Sequence, residues 1–117
     1  MIWILTQVAL GGALGSVLRY LTIYAVGAPM ATLAINVVGS FAMGVCFVLL
    51  SSRTQLSPLL MTGVLGGFTT FSAFSLDTLK LWQTGQTSAA IGYVAGSVGL
   101  SLLAVASGAT LTERLTA

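Results

Sequence analysis

Four long apolar stretches dominate the sequence, and they restrict the chain to structures that a lipid bilayer permits. The stretches cover residues 2–26, 30–50, 58–82 and 88–111. A helix needs about 20 mostly apolar residues to cross a bilayer, and helices satisfy their own backbone groups in hydrocarbon. The sequence therefore predicts an all-α membrane protein, a single four-helix transmembrane domain over residues 1–117. Because the connections are short, we expect consecutive helices to be antiparallel neighbours.

The composition supports this prediction and excludes several classes of function. Only 5% of the residues are charged and 56% are hydrophobic, whereas a soluble domain carries about 25% charged residues. No basic cluster is present that could neutralise phosphates, so nucleic acid is not an expected partner. The chain has no histidine, a single cysteine and only two carboxylates, Asp77 and Glu113. A histidine-dependent nucleophilic centre and a zinc or iron site both lack their residues, so we do not expect an enzyme.

The third stretch departs from a plain spanning helix. Residues 66–75 read Gly-Gly-Phe-Thr-Thr-Phe-Ser-Ala-Phe-Ser, and each glycine costs a helix about 1 kcal/mol relative to alanine. One interpretation is a helix break near Gly66–Thr70, with freed backbone groups that could coordinate ions, as in broken transporter helices. The other is a continuous helix with a small-residue packing face and hydroxyls bonded to the preceding turn. These residues alone leave both interpretations open.

Two spans carry glycines four residues apart. Gly11 and Gly15 lie in the first span, and Gly92 and Gly96 lie in the fourth. Small residues at this spacing let helix backbones approach closely. We therefore expect both faces to pack tightly against other helices.

The four basic residues divide evenly between the two ends of the spans. Arg53 and Arg114 fall on the side of the N-terminus, whereas Arg19 and Lys80 lie towards the opposite side. The positive-inside rule orients a membrane protein by an asymmetry of these charges, and here there is none. The sequence therefore permits insertion in both orientations and an antiparallel homodimer related by a two-fold axis in the membrane plane. A chance balance of four charges is the plainer alternative.

Several side chains inside the spans could favour an anion. They are amide and hydroxyl donors and electropositive ring edges, and no ring of acids is available for a cation. The candidates are Asn36, Phe71, Phe74, Tyr93, Ser97 and Ser101. Each has a structural alternative, since an amide or a hydroxyl can join helices and a phenylalanine can simply pack. Arg19 could attract anions or extend to the lipid headgroups.

Three segments together resemble the Fluc (CrcB) family of fluoride channels. Residues 66–75 resemble the family's third-span signature. Residues 11–20, with their glycines and the final Arg-Tyr, resemble its first span, and residues 32–41, Thr-Leu-Ala-Ile-Asn-Val-Val-Gly-Ser-Phe, resemble its second-span motif. The resemblance covers essentially the whole chain. Ala31 and Ala73 depart from the usual glycine and threonine, so contacts of that threonine cannot be carried over.

The resemblance implies an antiparallel, dual-topology homodimer with two fluoride pores, surrounded by lipid in the inner (plasma) membrane. It implies passive fluoride export that lowers fluoride toxicity in the cytoplasm. It implies pore-lining roles for Asn36, Thr70, Phe71, Phe74, Tyr93, Ser97 and Ser101, and a vestibule role for Arg19. It also implies a structural sodium ion at the dimer interface, held by the backbone carbonyls of Gly66 and Thr69, which favours the helix break.

Two other functions fit parts of the sequence. A small dual-topology multidrug transporter has a similar length and balanced charges, but such exporters carry a glutamate in the first span, and residues 2–26 contain no acid. A non-transporting membrane scaffold would explain the paired glycines. It would not explain the threonines and serines that follow Gly67.

Overall fold

A computed structural model describes residues 1–51 and 55–117 of the chain. The helices are α1 (Ile2–Val26), α2 (Met30–Leu49), a π-helix (Pro58–Leu65) continued by α3 (Gly66–Phe68), α4 (Phe71–Gln83) and α5 (Thr87–Thr116). Within these residues, four helical segments are long and apolar enough to cross a membrane, with Pro58–Gln83 as one span. The predicted all-helical, multi-pass architecture is confirmed. Arg53, one of the four basic residues, lies outside the described residues.

Helix α5, which forms the fourth predicted span, continues to Thr116, beyond the predicted end at residue 111. The prediction stopped where the apolar run stops, at the polar residues that follow Leu111. The backbone hydrogen bonds of a helix do not require apolar side chains, so the helix can continue through these polar residues. Two threonine hydroxyls there donate to the backbone carbonyl four residues earlier. Thr112 Oγ1 donates to Gly108 O at 2.7 Å, and Thr116 Oγ1 donates to Thr112 O at 2.7 Å.

Glycines bring α1 against the first half of the third span (58–68). A Cβ atom at Gly11 would lie 2.5 Å from Leu59 O, and a Cβ atom at Gly15 would overlap Val64 O. Side chains at these two positions would therefore force the helices apart. The close packing predicted for Gly11 and Gly15 is confirmed.

A second pair of glycines brings α2 against α5. A Cβ atom at Gly44 would overlap Val105 O, and one at Gly108 would overlap Phe41 O. The close packing predicted for Gly92 and Gly96 is absent within the protomer, because no described atom beyond the neighbouring turns of α5 lies within 4 Å of a Cβ atom built at either position. Gly108 lies on the face of α5 that contacts α2, whereas Gly92 is exposed and Gly96 is half-buried on another face of the same helix.

The backbone of the third span becomes extended at two threonines. Thr69 has φ −79° and ψ 157°, and Thr70 has φ −154° and ψ 119°. The glycine at position 66 remains helical, with φ −63° and ψ −37°. The Thr70 hydroxyl accepts a hydrogen bond from Ala73 N at 3.1 Å and so caps the first turn of α4.

Two tight connections lie at the end of the bundle opposite the N-terminus. Residues 27–29 join α1 to α2, and residues 84–86 join α4 to α5. Gly27 and Gly85 have φ of 88° and 78°, a region that glycine enters without strain. These connections bring the ends of α2, α4 and α5 together, where Ala31, Ile35 and Ala90 are buried.

The α2–α5 contact predicts different effects for two Gly→Ala substitutions. Gly44→Ala should lower the free energy of unfolding by about 2 kcal/mol, since the new methyl group meets the backbone of Val105 and the helices must separate. Gly12→Ala is the matched control, because its Cβ atom would meet nothing within 4 Å. Thermal unfolding in detergent, followed by circular dichroism, measures both. Equal midpoints for the two variants would contradict the packing described for Gly44.

Candidate functional site

A concavity of about 520 Å³ opens between α2, the third span and α5. It lies beside the extended threonines, near the middle of the chain's spans. Eight of the ten sequence-predicted site residues line it: Asn36, Gly66, Thr69, Thr70, Phe71, Phe74, Ser97 and Ser101. Residues from three separate sequence segments are therefore brought to one surface, and their individual roles stay predictions.

Asn36 on α2 binds the backbone of Thr70 at both of its polar groups. Asn36 Nδ2 donates to Thr70 O at 3.0 Å, and Thr70 N donates to Asn36 Oδ1 at 2.8 Å. The Asn36 side chain therefore joins α2 to the third span, which is the structural alternative that the sequence left open for it. The amide has two N–H donors, and within residues 1–51 and 55–117 only one of them has a hydrogen-bond partner.

Two backbone carbonyls at the site have lost their helical donors. In a continuous α-helix, Gly66 O would accept from Thr70 N, and Thr69 O would accept from Ala73 N. Thr70 N donates to Asn36 instead, and Ala73 N donates to the Thr70 hydroxyl. These are the two carbonyls predicted to bind sodium, and both residues line the concavity.

The aromatic rings of the third and fourth spans form a row. Phe71 and Phe74, one turn apart on α4, have ring centroids 5.4 Å apart and an interplanar angle of 58°. Phe74 and Tyr93 follow at 5.3 Å and 41°. Phe71 is 77% exposed, whereas Phe74 and Tyr93 are each 8% exposed. The tilted arrangement presents ring edges, which carry partial positive charge, and Phe71 projects from the protomer.

Hydroxyl groups line the opposite wall of the concavity. Ser97 is buried on α5, and its Oγ has no hydrogen-bond partner among the described residues; the same is true of Thr32 Oγ1 on α2. Ser101 lies one turn beyond Ser97 on the same face of α5. A buried hydroxyl without a partner costs free energy, so a hydrogen bond to a ligand or water would stabilise Ser97 Oγ. The sequence reasoning did not identify Thr32 as a candidate.

Tyr93 does not line this concavity but lies behind Phe74. Its hydroxyl donates to Asp77 Oδ2 at 3.1 Å, and both side chains are buried. The sequence reasoning treated Asp77 only as one of two scattered acids. The signal that identifies it is its position inside a span, where an ionisable group is costly and is therefore commonly functional.

Asp77 also lines a second concavity of about 260 Å³, at the end of the bundle opposite the N-terminus. Lys80 lies in the same wall, one turn further along α4. Arg19 is half-buried on α1, and within residues 1–51 and 55–117 it lines neither concavity. The predicted vestibule residue is therefore separated from the other site residues within one protomer.

The chain is similar in sequence to a known protein family along most of its length. The family model described as CrcB-like protein, Camphor Resistance (CrcB), matches residues 6–109. A protein of Paracoccus denitrificans named fluoride-specific ion channel FluC is 53% identical, over 93% of this chain and 94% of its own length. Proteins with the same name in Cereibacter sphaeroides (strain ATCC 17029) and Saccharophagus degradans are 52% and 47% identical. Each alignment covers 92% of this chain, with 93% and 88% of the respective relatives.

The Asn36–Thr70 contact predicts a loss of local order when the amide is removed. Asn36→Ala leaves two backbone groups of Thr70 without partners, which we expect to cost about 2 kcal/mol of unfolding free energy. Amide hydrogen exchange of the 66–75 segment, measured by mass spectrometry, should become faster. Ser40→Ala is the control, since Ser40 lines the same concavity from the same helix. Equal protection in both variants would show that Asn36 does not hold this segment.

Proposed function

The chain belongs to the CrcB family, and from this premise we propose that it is a fluoride channel that exports fluoride passively and so lowers its toxicity in the cytoplasm. The observation that carries the proposal is the identity of about half of the residues with relatives named fluoride-specific ion channel, over more than nine-tenths of the chain. The family and these relatives are ion channels rather than enzymes, and we assign no catalytic residue. The geometry of the larger concavity supports the proposal independently.

Fluoride is small and holds its hydration water strongly, so a pore must supply replacement donors. The free N–H of Asn36, the unpartnered hydroxyl of Ser97 and the hydroxyl of Ser101 lie around one concavity. The ring edges of Phe71 and Phe74 add weak positive charge along the same surface. All of these groups are neutral, which suits conduction because an ion must also be able to leave. In this proposal Thr70 also lines the larger concavity, and Tyr93 lines the pathway behind Phe74.

We propose that the third span is functionally broken at Thr69 and Thr70, and that the Gly66 and Thr69 carbonyls bind a structural sodium ion. Carbonyl oxygens can replace the hydration shell of a hard monovalent cation. Both carbonyls have lost their helical donors, which supports the fit. Two oxygens from one chain are too few for a hydration shell, and a second copy related by two-fold symmetry would supply two more. When bound, the ion would neutralise the carbonyl dipoles and join the two copies.

We further propose that two copies assemble as an antiparallel, dual-topology homodimer. Phe71 is 77% exposed at the edge of the concavity, where a ring from a second copy could close the pore. The Gly92 and Gly96 face of α5 has no neighbour within 4 Å in the protomer and is suited to close contact with another helix. Arg19 would then serve a vestibule of the assembled dimer rather than of one protomer. Lipid would surround the remaining apolar surface.

A flux experiment tests the channel and its aromatic lining together. The protein is reconstituted into liposomes in sodium-containing buffer, and fluoride efflux is followed with an ion-selective electrode. Wild type should pass fluoride and no chloride. Phe71→Ile and Phe74→Ile should lower the fluoride flux at least tenfold, because an aliphatic side chain has no electropositive edge, while dimer assembly measured by size exclusion is retained.

Phe47→Ile is the matched control for the flux experiment. Phe47 is 64% exposed on α2 and lines neither concavity in the described structure, so its flux should equal that of wild type. Absence of fluoride flux in the wild type would refute the proposed channel function and would favour the non-transporting membrane scaffold. Loss of assembly equal to the loss of flux in Phe71→Ile and Phe74→Ile would assign those rings to packing.

Dual topology predicts that each end of the bundle is accessible from both sides of the membrane. Gln86→Cys, in a Cys46→Ala background, places one thiol in the exposed 84–86 connection. An impermeant thiol reagent applied to intact cells should label about half of the molecules, and the remainder should react only after the membrane is opened. Gln55→Cys, near the opposite end, should behave in the same way. Complete labelling of one variant and none of the other would establish a single orientation.

A further inference from the structure

The second concavity carries two charged side chains, and the proposed fluoride pathway assigns no role to them. It measures about 260 Å³ and lies where the 27–29 and 84–86 connections meet α4. Its charged lining residues are Asp77, which is buried, and Lys80, which is exposed. The remaining lining residues are Ala28, Pro29, Leu81, Thr84 and Gln86.

One layer of side chains connects this concavity to the larger one. Phe74 lines the larger concavity and packs against the Tyr93 ring at 5.3 Å. The Tyr93 hydroxyl donates to Asp77 Oδ2 at 3.1 Å, and Asp77 lines the smaller concavity. The two openings thus lie on either side of a continuous row of Phe74, Tyr93 and Asp77. In the proposed pathway, an ion that leaves the larger concavity at Phe74 would pass Tyr93 and Asp77 before it reaches the smaller one.

The charges in the smaller concavity explain how an anion could approach a carboxylate. Asp77 alone would repel fluoride from the smaller concavity, which is where a fluoride ion would lose or regain its hydration water. Lys80 lies three residues further along α4 and therefore on the same helical face. Its ammonium group offsets the negative charge in the same concavity. Concave walls of low dielectric constant strengthen such a local field and raise the concentration of the attracted ion.

We propose that the smaller concavity is an anion-binding outer vestibule of the pathway, and that Lys80 is the side chain that attracts small anions into it. The proposal rests on the proposed channel function and adds to it a site and a residue. In an antiparallel dimer, one such vestibule would open on each side of the membrane. Gln86 contributes a further amide donor, since its Nε2 uses one hydrogen in the 3.1 Å bond to Thr84 Oγ1. Lys80 acts by its charge and is not part of the narrow pore.

The test compares charge variants of Lys80 at two ionic strengths. Lys80→Gln should lower fluoride flux about threefold at low ionic strength and at fluoride concentrations below half-saturation, because one unit charge near the entry is lost. The difference should nearly vanish when an impermeant salt shortens the screening length to about 3 Å. Lys80→Arg should retain the wild-type flux. Arg114→Gln is the matched control, since it removes an equal charge from the exposed end of α5, away from both concavities.

A second variant separates charge from shape. Lys80→Cys in a Cys46→Ala background can be modified after folding with a cationic or an anionic thiol reagent of similar size. The cationic adduct should restore flux at low ionic strength, and the anionic adduct should lower it below that of the unmodified thiol. Equal flux for both adducts, or equal flux for Lys80→Gln and Arg114→Gln, would refute the proposal that the charge of Lys80 attracts anions into the smaller concavity. Because wild type is measured in parallel, a protein without any fluoride flux would instead refute the proposed channel.

Discussion

The requirement that backbone polar groups be satisfied inside a membrane governs this structure, and Asn36 meets it at the most demanding place. Two consecutive residues in extended conformation would leave N–H and C=O groups unpaired in hydrocarbon, at a cost of about 1–3 kcal/mol each. Asn36 pairs with both groups of Thr70. The side chain of Thr69 donates to Leu65 O at 2.9 Å and keeps the preceding turn together. The extended conformation is therefore stabilised by the amide of Asn36, which α2 places beside Thr70.

The same pair of hydrogen bonds organises the functional surface. When Thr70 N bonds to Asn36, the Gly66 carbonyl is released, and when the Thr70 hydroxyl caps α4, the Thr69 carbonyl is released. The new helix then begins at Phe71, which places Phe71 and Phe74 on one face at the edge of the concavity. The two released carbonyls, the start of α4 and the aromatic row are consequences of one local rearrangement. A change at Asn36 would consequently affect all three.

Close backbone packing brings the second wall of the site to this rearrangement. Gly39 lies three residues after Asn36, and a Cβ atom there would overlap the Thr69 methyl group. Gly44 and Gly108 hold α2 against α5, so that Ser97 and Ser101 face the concavity. Behind Phe74, the Tyr93 hydroxyl donates to Asp77, and Asp77 lines the smaller concavity together with Lys80. The hydrogen-bond donors around the larger concavity are neutral, which suits an ion that must both bind and leave.

The sequence by itself determined the architecture, because the length and apolar character of four stretches leave a membrane chain few alternatives. It also identified most of the residues around the larger concavity, chiefly because the 66–75 segment carries a specific family signature. It could not decide which glycines face another helix, since Gly92 and Gly96 have the same spacing as Gly11 and Gly15, and the facing direction depends on the neighbour. It likewise could not connect Asn36 to Thr70, or Tyr93 to Asp77, because those contacts join residues 34 and 16 positions apart. Only the tertiary structure fixes such pairs, since a hydrogen bond depends on the distance and angle between atoms, and the packing of the helices sets both.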